Sequence, residues 1–224
     1  RSHHHLILYL IFQIRFLNGA GQNKQHDNGF EASQIMKKRF GTIFNSDCLS
    51  MFKNSNHAAA IWKRNAPPKF QNWIDALPTA TLPSTRMILR PGDVRVGVSK
   101  ACNNHGMELS PHLQWLIEDI TALTHIFCEV MPTSFVRLRL DRVTTNACRK
   151  FHVDAITTRL LCTYRGTGTQ YGTSLKGKDP SKILTAPTGS PIMLRGTLWP
   201  KQPNTTVLHR SPPIEGTGET RLVL

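Results

Sequence analysis

The sequence contains no Cys-x-x-Cys pair, and its five cysteines are an odd number spread along the chain: Cys48, Cys102, Cys128, Cys148 and Cys162. Zinc ribbons and zinc fingers hold their metal through closely spaced cysteine pairs, so a structural zinc site of that kind is excluded. A disulfide scaffold needs paired cysteines and an oxidising compartment. The cysteine pattern therefore favours a protein of the reducing cytoplasm.

Long apolar runs are also missing. The longest, LILYLIFQIRFL, covers about twelve residues and is interrupted by Gln13 and Arg15, whereas a membrane-spanning helix needs about twenty. A signal-peptide core is the alternative interpretation of this run. The Gly- and Asn-rich residues that follow it are typical of a linker. We predict no membrane span, and we expect residues 1–45 to be a poorly ordered or extraneous N-terminal extension and linker.

Acidic residues are scarce: 14 Asp and Glu stand against 28 Lys and Arg, which gives a net charge of +14. Such a charge is compatible with a polyanionic partner. The basic residues are scattered singly, however, and Lys37–Arg39 is their longest run. No aromatic-interleaved basic stripe and no nucleic-acid-binding motif accompanies them. We interpret the charge as a basic surface and do not expect nucleic acid as a partner.

The spacing of apolar residues changes part-way along the chain. KFQNWIDAL has apolar residues at helical spacing, and SPHLQWLIEDITALTHIFCEVM starts with Ser110 as a cap and Pro111 in the first turn. Both segments predict amphipathic helices. DVRVGVSK alternates and predicts a strand or loop. From residue 133 onward, short alternating segments such as SFVRLRLDRV predict strands separated by turns.

This order of elements predicts an α+β protein whose N-terminal helices pack against a double-stranded β-helix, a jelly-roll or cupin-like core. We expect one domain over residues 46–224. Residues 46–132 would form its mainly helical part, and residues 133–224 its jelly-roll core.

One set of residues proposes a specific chemistry. His152 and Asp154 are separated by one residue, His209 follows at the end of the apolar segment TTVLH, and Arg221 lies 12 residues after His209. In an extended chain, residues i and i+2 face the same way, so His152 and Asp154 can reach one ion. Two imidazoles and one carboxylate leave one face of an octahedral metal open. An arginine nearby is suited to pair with a dicarboxylate cosubstrate.

The same alternation extends the set along FHVDAITTRLLCTYRG. If this strand is regular, Cys162 and Tyr164 share a face with His152 and Asp154, whereas Arg159 points to solvent. Tyr164 would then either donate a hydrogen bond to the cosubstrate or line the core with its hydroxyl at the rim. Cys162 could be a soft fourth ligand, but a buried free cysteine is usually a packing residue. Arg221 must meet a carboxylate or point outward, because an unpaired buried arginine is costly. A one-residue slip in the preceding turn would turn Arg221 away from the pocket.

The segments NACRKFHVDAITTRLLCTYRGTGTQYG, LRGTLWP and VLHRSPPIEGTGETRLVL resemble the bacterial family catalogued as domain of unknown function 1826, over a match from about residue 57 to the end. That family has no established activity. Its genes tend to lie near those of metallochaperone-type GTPases, which implies a context of zinc homeostasis.

The same segments are remotely similar to the Fe(II)- and 2-oxoglutarate-dependent dioxygenases, especially the prolyl-hydroxylase branch. This resemblance implies that His152, Asp154 and His209 are the catalytic iron ligands. It also implies that Arg221 and Tyr164 bind 2-oxoglutarate. The gap of 12 residues between His209 and Arg221 is slightly longer than in that family.

Three hypotheses follow from the sequence. The first is an Fe(II)/2-oxoglutarate-dependent oxygenase of unknown substrate. The second is a metal-binding accessory protein of zinc homeostasis that uses the same pocket, since two histidines and a carboxylate also suit Zn²⁺. The third is a jelly-roll binding module whose histidines bind no metal. The sequence specifies neither the substrate nor the oligomeric state.

Overall fold

The computed structural model describes residues 40–43, 49, 51–174, 178–200 and 206–224, all of which belong to one compact unit, Gln34–Leu224. Most of the extension predicted for residues 1–45 lies outside the described residues. The described chain contains α1 (Pro68–Ala76), α2 (Val94–Asn104), α3 (Pro111–Val130), β1 (Phe40–Ile43), β2 (Ala59–Trp62), β3 (Thr85–Leu89), β4 (Val136–Val143), β5 (Thr158–Leu161), β6 (Thr163–Arg165), β7 (Gln170–Ser174), β8 (Leu184–Thr185), β9 (Ile192–Arg195), β10 (Thr206–Arg210) and β11 (Arg221–Val223).

The predicted helix α3 begins and packs as its sequence indicates. The Ser110 hydroxyl accepts a hydrogen bond from the Leu113 N–H at 3.1 Å, and Pro111 takes the first helical position. Capping of this kind satisfies an N–H that has no partner within the helix. The buried stripe includes Leu116, Ile120 and Leu123. Both this helix and α1 confirm the helical spacing read from the sequence.

The strand or loop predicted for DVRVGVSK is wrong, because these residues form the start of α2. Val94 and Val98 are fully buried while Val96 is 71% exposed. A spacing of four residues returns to the same face of a helix, and the buried Ala101 and Cys102 continue that face. Three valines at alternate positions form too short a pattern to distinguish the spacing of a strand from that of a helix.

The strands form three sheets of mostly antiparallel pairs. The first has the order β1-β2-β9-β5, the second β10-β7-β8 and the third β3-β4-β11-β6. Only the β1–β2 pair is parallel among the described strands. The predicted α+β class is thus confirmed. The part predicted as mainly helical also contributes β2 and β3 to the sheets.

Two of the three apolar clusters formed by the described residues lie between the layers. The helices pack against the third sheet through Phe70, Ile120, Leu140, Tyr164 and Leu222, among others. The first and second sheets pack against each other through a smaller cluster that includes Ile61, Tyr171, Ile192 and Val207. No helix in the described part of the chain is long and apolar enough to cross a membrane.

Candidate metal centre

Backbone pairing brings the two distant histidines together. His152 and His209 form an isolated antiparallel bridge in which each N–H donates to the other residue's carbonyl oxygen at 3.0 Å. Residues directly opposite in an antiparallel pair send their side chains to the same face. The two imidazole rings accordingly lie with their centroids 4.5 Å apart. Strand register therefore fixes two of the three predicted ligands.

Asp154 is positioned by its backbone and by a glycine. Its carbonyl oxygen accepts the Thr197 N–H at 2.9 Å, and the Gly196 N–H donates to the Thr157 carbonyl at 2.9 Å. A Cβ atom at residue 196 would lie 1.9 Å from the Ile156 carbonyl oxygen. Only glycine permits this close backbone approach. The end of β9 thus holds the bend that carries Asp154.

The polar atoms of the three side chains converge. His209 Nε2 lies 3.2 Å from Asp154 Oδ2, and His152 Nε2 lies 3.5 Å from Asp154 Oδ1. One ligand atom from each residue can be chosen so that all lie within 4.8 Å of one another. Ligands at about 2.0–2.2 Å from one metal are separated by at most about 4.3 Å. Small side-chain rotations are enough to bring the set to coordination distance.

The histidine at the rim is held in the tautomer that a metal needs. His152 Nδ1 lies 2.8 Å from the Lys150 carbonyl oxygen. Because a carbonyl only accepts, Nδ1 carries a proton, so in the neutral ring that a metal requires Nε2 has the lone pair. Metal-binding histidines commonly donate their second nitrogen in this way. The geometry therefore directs a lone pair from His152 towards Asp154.

The Asp154 carboxylate is ionised and incompletely satisfied. Burial raises its pKa, but contact with His209 and the positive charges of His209, Arg159 and His152 together lower it below the ordinary value of 3.8. Its Oδ2 is buried and accepts no well-directed hydrogen bond, although His209 and Arg159 nitrogens lie at 3.2 and 2.8 Å. Buried oxygens are normally satisfied. An anionic oxygen of this kind is suited to bind a metal cation.

Arg221 faces inward beside this cluster. It is 2% exposed, and it donates to the Thr167 carbonyl at 2.5 Å, to Ser211 Oγ at 2.6 Å and to Thr163 Oγ1 at 3.4 Å. Ser211 lies two residues after His209, or roughly 7 Å along an extended chain. No carboxylate of the described residues forms an ion pair with this guanidinium. Arg221 thus neither meets a carboxylate nor points outward, which are the two outcomes that the sequence suggested.

The charge of Arg221 carries an energetic cost. Burial lowers its pKa to about 10, and the negative charge of Glu219 opposes this shift only in part. The side chain still carries its proton at neutral pH. A buried cation held only by neutral acceptors is costly. An incoming anion would offset that cost.

Comparison with known families gives one match that covers all of these residues. The sequence model of a family described as Protein of unknown function (DUF1826) matches residues 45–224. The chain belongs to this family. The predicted resemblance to domain of unknown function 1826 is thereby confirmed, and the match begins earlier than residue 57. No curated protein matches the chain.

Within the DUF1826 domain, Tyr164 lies away from the metal cluster. It is fully buried among the helices, where its hydroxyl donates to Asp119 Oδ2 at 2.7 Å. The predicted common face of Tyr164 with His152 and Asp154 is wrong, because the chain bends at residues 155–157 before β5 begins. Cys162 lies in the same region and is fully buried, which agrees with a packing role. Tyr164 therefore has a structural partner instead of a cosubstrate.

The same bend brings in a residue that sequence reasoning missed. Arg159 was expected in solvent, but its Nε lies 2.8 Å from Asp154 Oδ2. Metal-binding carboxylates are commonly held by a second group of this kind. The alternation of side chains along a regular strand cannot predict such a contact when a bend breaks the strand. The only sequence signal was the polar run Thr157-Thr158 just before Arg159.

Proposed function

We propose that this DUF1826 protein is an Fe(II)- and 2-oxoglutarate-dependent oxygenase. The proposal depends on one combined observation. Two histidines and an aspartate converge on one point, and a buried arginine without a carboxylate partner contacts the strand continuation that carries one of the histidines. Such a set combines a metal site with a site for an anionic cosubstrate.

In this proposal His152, Asp154 and His209 hold the metal on one face. The buried Oδ2 of Asp154, which accepts no well-directed hydrogen bond, and the Nε2 lone pair of a neutral His152 support their fit to a divalent cation. Iron in such a site supplies the redox chemistry that turns 2-oxoglutarate, O₂ and a C–H group into succinate, CO₂ and a hydroxylated product. Arg159 orients the Asp154 carboxylate through its contact at 2.8 Å.

Arg221 binds the distal carboxylate of 2-oxoglutarate. Its planar guanidinium suits a carboxylate in a bidentate geometry, and its buried position excludes water that would weaken the pair. The hydroxyls of Ser211 and Thr163 steer the side chain, at 2.6 and 3.4 Å. The anion would neutralise a charge that the fold itself leaves without a partner.

The order of strands supports a jelly-roll core for this function. Only Cys162 separates β5 from β6, so the first and third sheets can be taken as one broken layer. From β4 onward the chain then passes back and forth between that layer and the layer of the second sheet, to which His152 adds a bridge, except that β7 and β8 are consecutive strands of the second sheet. Alternation between two antiparallel layers is characteristic of a jelly roll. We propose this arrangement as a double-stranded β-helix.

The test is an anaerobic titration of the purified full chain with Fe(II) and then 2-oxoglutarate. We expect the weak visible metal-to-ligand band, its loss in Asp154→Ala, and succinate formation when O₂ is admitted. His125→Ala, an exposed histidine on α3, is the control that should keep the band. A folded protein that gives neither band nor 2-oxoglutarate turnover would contradict the oxygenase.

The alternative hypothesis, a zinc-binding accessory protein, predicts a different result for the same pocket. It requires stoichiometric Zn²⁺ held by the three residues, with an affinity that 2-oxoglutarate does not change. Arg221→Gln would then leave metal binding and every ligand response intact. An oxygenase instead requires that Arg221→Gln weaken 2-oxoglutarate binding at least tenfold while metal binding is kept.

A further inference from the structure

A cavity adjoins the metal cluster. It has a volume of about 480 Å³ and lies between the C-terminal part of α3, the start of β4 and residues 156–161. Pockets for small organic ligands usually measure about 300–1,000 Å³. Its size therefore fits one small molecule.

The cavity has an apolar floor and a basic mouth. Leu123 and Leu138 line it and are 1% and 5% exposed. Three arginines line it as well: Arg137 is exposed, and the side chains of Arg139 and Arg159 are 38% and 35% exposed. Long basic side chains keep their charge near water while their stems cover apolar surface. The exposure of these residues thus increases from the floor to the mouth.

The charged side chains that line the mouth are basic, although Arg139 and Arg159 each pair with an aspartate outside the lining. No aspartate or glutamate is among the residues that line this cavity. Arg139 pairs with Asp141 at 2.6 Å outside the lining set, but its Nε is buried without a hydrogen-bond partner. Arg137 has no ion-pair partner among the described residues. A carboxylate at this mouth would find donors that the protein leaves unused.

The cavity and the metal cluster share a wall. Ile156, which lines the cavity, follows Asp154 by two residues, so their Cα atoms are separated by at most about 7 Å. Arg159 lines the cavity and also contacts Asp154 at 2.8 Å. A molecule in the cavity therefore lies beside the residues that hold the metal.

We infer that this cavity binds an amphipathic carboxylate, an aliphatic acid of medium chain length, as the substrate of the adjoining metal centre. The carboxylate lies at the arginines of the mouth and the chain enters the apolar floor. The role as substrate rests on the proposed oxygenase activity. Binding of the acid does not, and it is measurable in protein freed of metal.

The binding test uses calorimetric titration of the metal-free full chain with octanoate and decanoate below their micelle-forming concentrations. We expect one site and about fourfold tighter binding for each added methylene. Decanol should bind at least tenfold more weakly, and decylamine should not bind. Equal binding of decanol and decanoate would overturn the assignment.

Variants at exposed lining positions test the site without disturbing the core. Arg137→Gln should weaken decanoate at least fivefold, and Thr133→Trp, which places an indole at the mouth, should abolish binding. Arg95→Gln is the matched control, because Arg95 lies on α2 and is not part of the lining. Unchanged affinity in both cavity variants would refute this site.

A third measurement separates the two proposals. Decanoate should accelerate succinate formation at least threefold in protein loaded with Fe(II) and 2-oxoglutarate. If iron and 2-oxoglutarate bind as expected but decanoate does not bind, the oxygenase stands and the cavity assignment is wrong. If decanoate binds without accelerating turnover, its role as substrate is wrong.

Discussion

Arg64, whose side chain is 15% exposed, and the buried Arg221 are held in opposite ways. Arg64 donates through both terminal nitrogens to the two oxygens of Asp119, at 2.5 and 2.6 Å. The Tyr164 hydroxyl donates to the same carboxylate at 2.7 Å. Arg221, on the other side of the third sheet, contacts one carbonyl and two hydroxyls.

The pKa values express this difference. Burial alone lowers the pKa of Arg64, yet the hydrogen bond and charge of Asp119 raise it above its ordinary value, so its charge stabilises the fold throughout the neutral range. Stability of that origin is lost only in strongly alkaline solution, as pH rises through that raised pKa. Burial lowers the pKa of Arg221, so its charge destabilises the fold at neutral pH. The charge of Arg64 is balanced within the fold, whereas the charge of Arg221 is available to an anionic ligand.

The largest effect should come from breaking the Arg64 pair. Asp119→Asn leaves a buried guanidinium without its counter-ion, and removal of one partner of a buried pair costs about 3–5 kcal/mol. We expect a loss of that size in the free energy of unfolding, measured by urea denaturation. Glu118→Gln is the control, because Glu118 pairs with Arg95 at 3.5 Å on the surface and should cost less than about 1 kcal/mol. Equal losses in both variants would show that Asp119 is not a special partner.

A smaller effect should come from metal at the other site. Zn²⁺ at 100 times its Kd should raise the free energy of unfolding by about 2.7 kcal/mol in the native sequence. Asp154→Ala should lose that gain, since one of three ligands is missing, while His125→Ala keeps it. The measurement is urea denaturation with and without a chelator. Zinc bound by histidines elsewhere in the chain would stabilise both variants equally and would contradict the prediction.

Removal of Arg221 should change stability least. Arg221→Gln removes a costly buried charge but also loses hydrogen bonds to Thr167 and Ser211. We expect these to offset each other within about 1 kcal/mol. Urea denaturation of this variant beside Asp119→Asn makes the comparison direct. A loss as large as that of Asp119→Asn would mean that Arg221, too, is a structural residue.

The sequence predicted the elements whose pattern was long. Helix α3 has a cap, a proline at its first position and more than two turns of apolar spacing, and β4 alternates over eight residues. Helix α2 was missed because three valines fit both periods. The pairing of β2 with β9 joins residues more than 130 positions apart. No local pattern contains such a partner.

The site was predictable to a similar degree. The convergence of His152, Asp154 and His209 followed from residue types and strand ends, and the bridge between the histidines supplied the register. Tyr164 and Arg159 were misplaced for one reason. Face assignment by alternation holds only while the strand is regular, and the bend after Asp154 breaks it. Tyr164, expected at the metal pocket, is buried among the helices, and Arg159, expected in solvent, contacts Asp154 instead.

Cysteine labelling should distinguish the region around Arg64 from the region around the metal cluster, and this measurement does not depend on a change in stability. Cys162 lies beside Arg64 and is 1% exposed, and burial raises its pKa to about 12, so it is a neutral, shielded thiol at pH 8. Cys148, whose carbonyl accepts the Ser211 N–H near the metal cluster, is exposed. Only a thiolate that reaches solvent reacts with iodoacetamide. Peptide mass spectrometry should find Cys148 labelled in the folded protein, and Cys162 only after unfolding.

In Asp119→Asn the contacts around Arg64 are weakened and this region opens more often, so labelling of Cys162 should accelerate while that of Cys148 stays constant. Equal labelling rates at the two cysteines in the native sequence would show that the region around Arg64, Asp119 and Cys162 is open to solvent. The contrast with Arg221 would then be wrong.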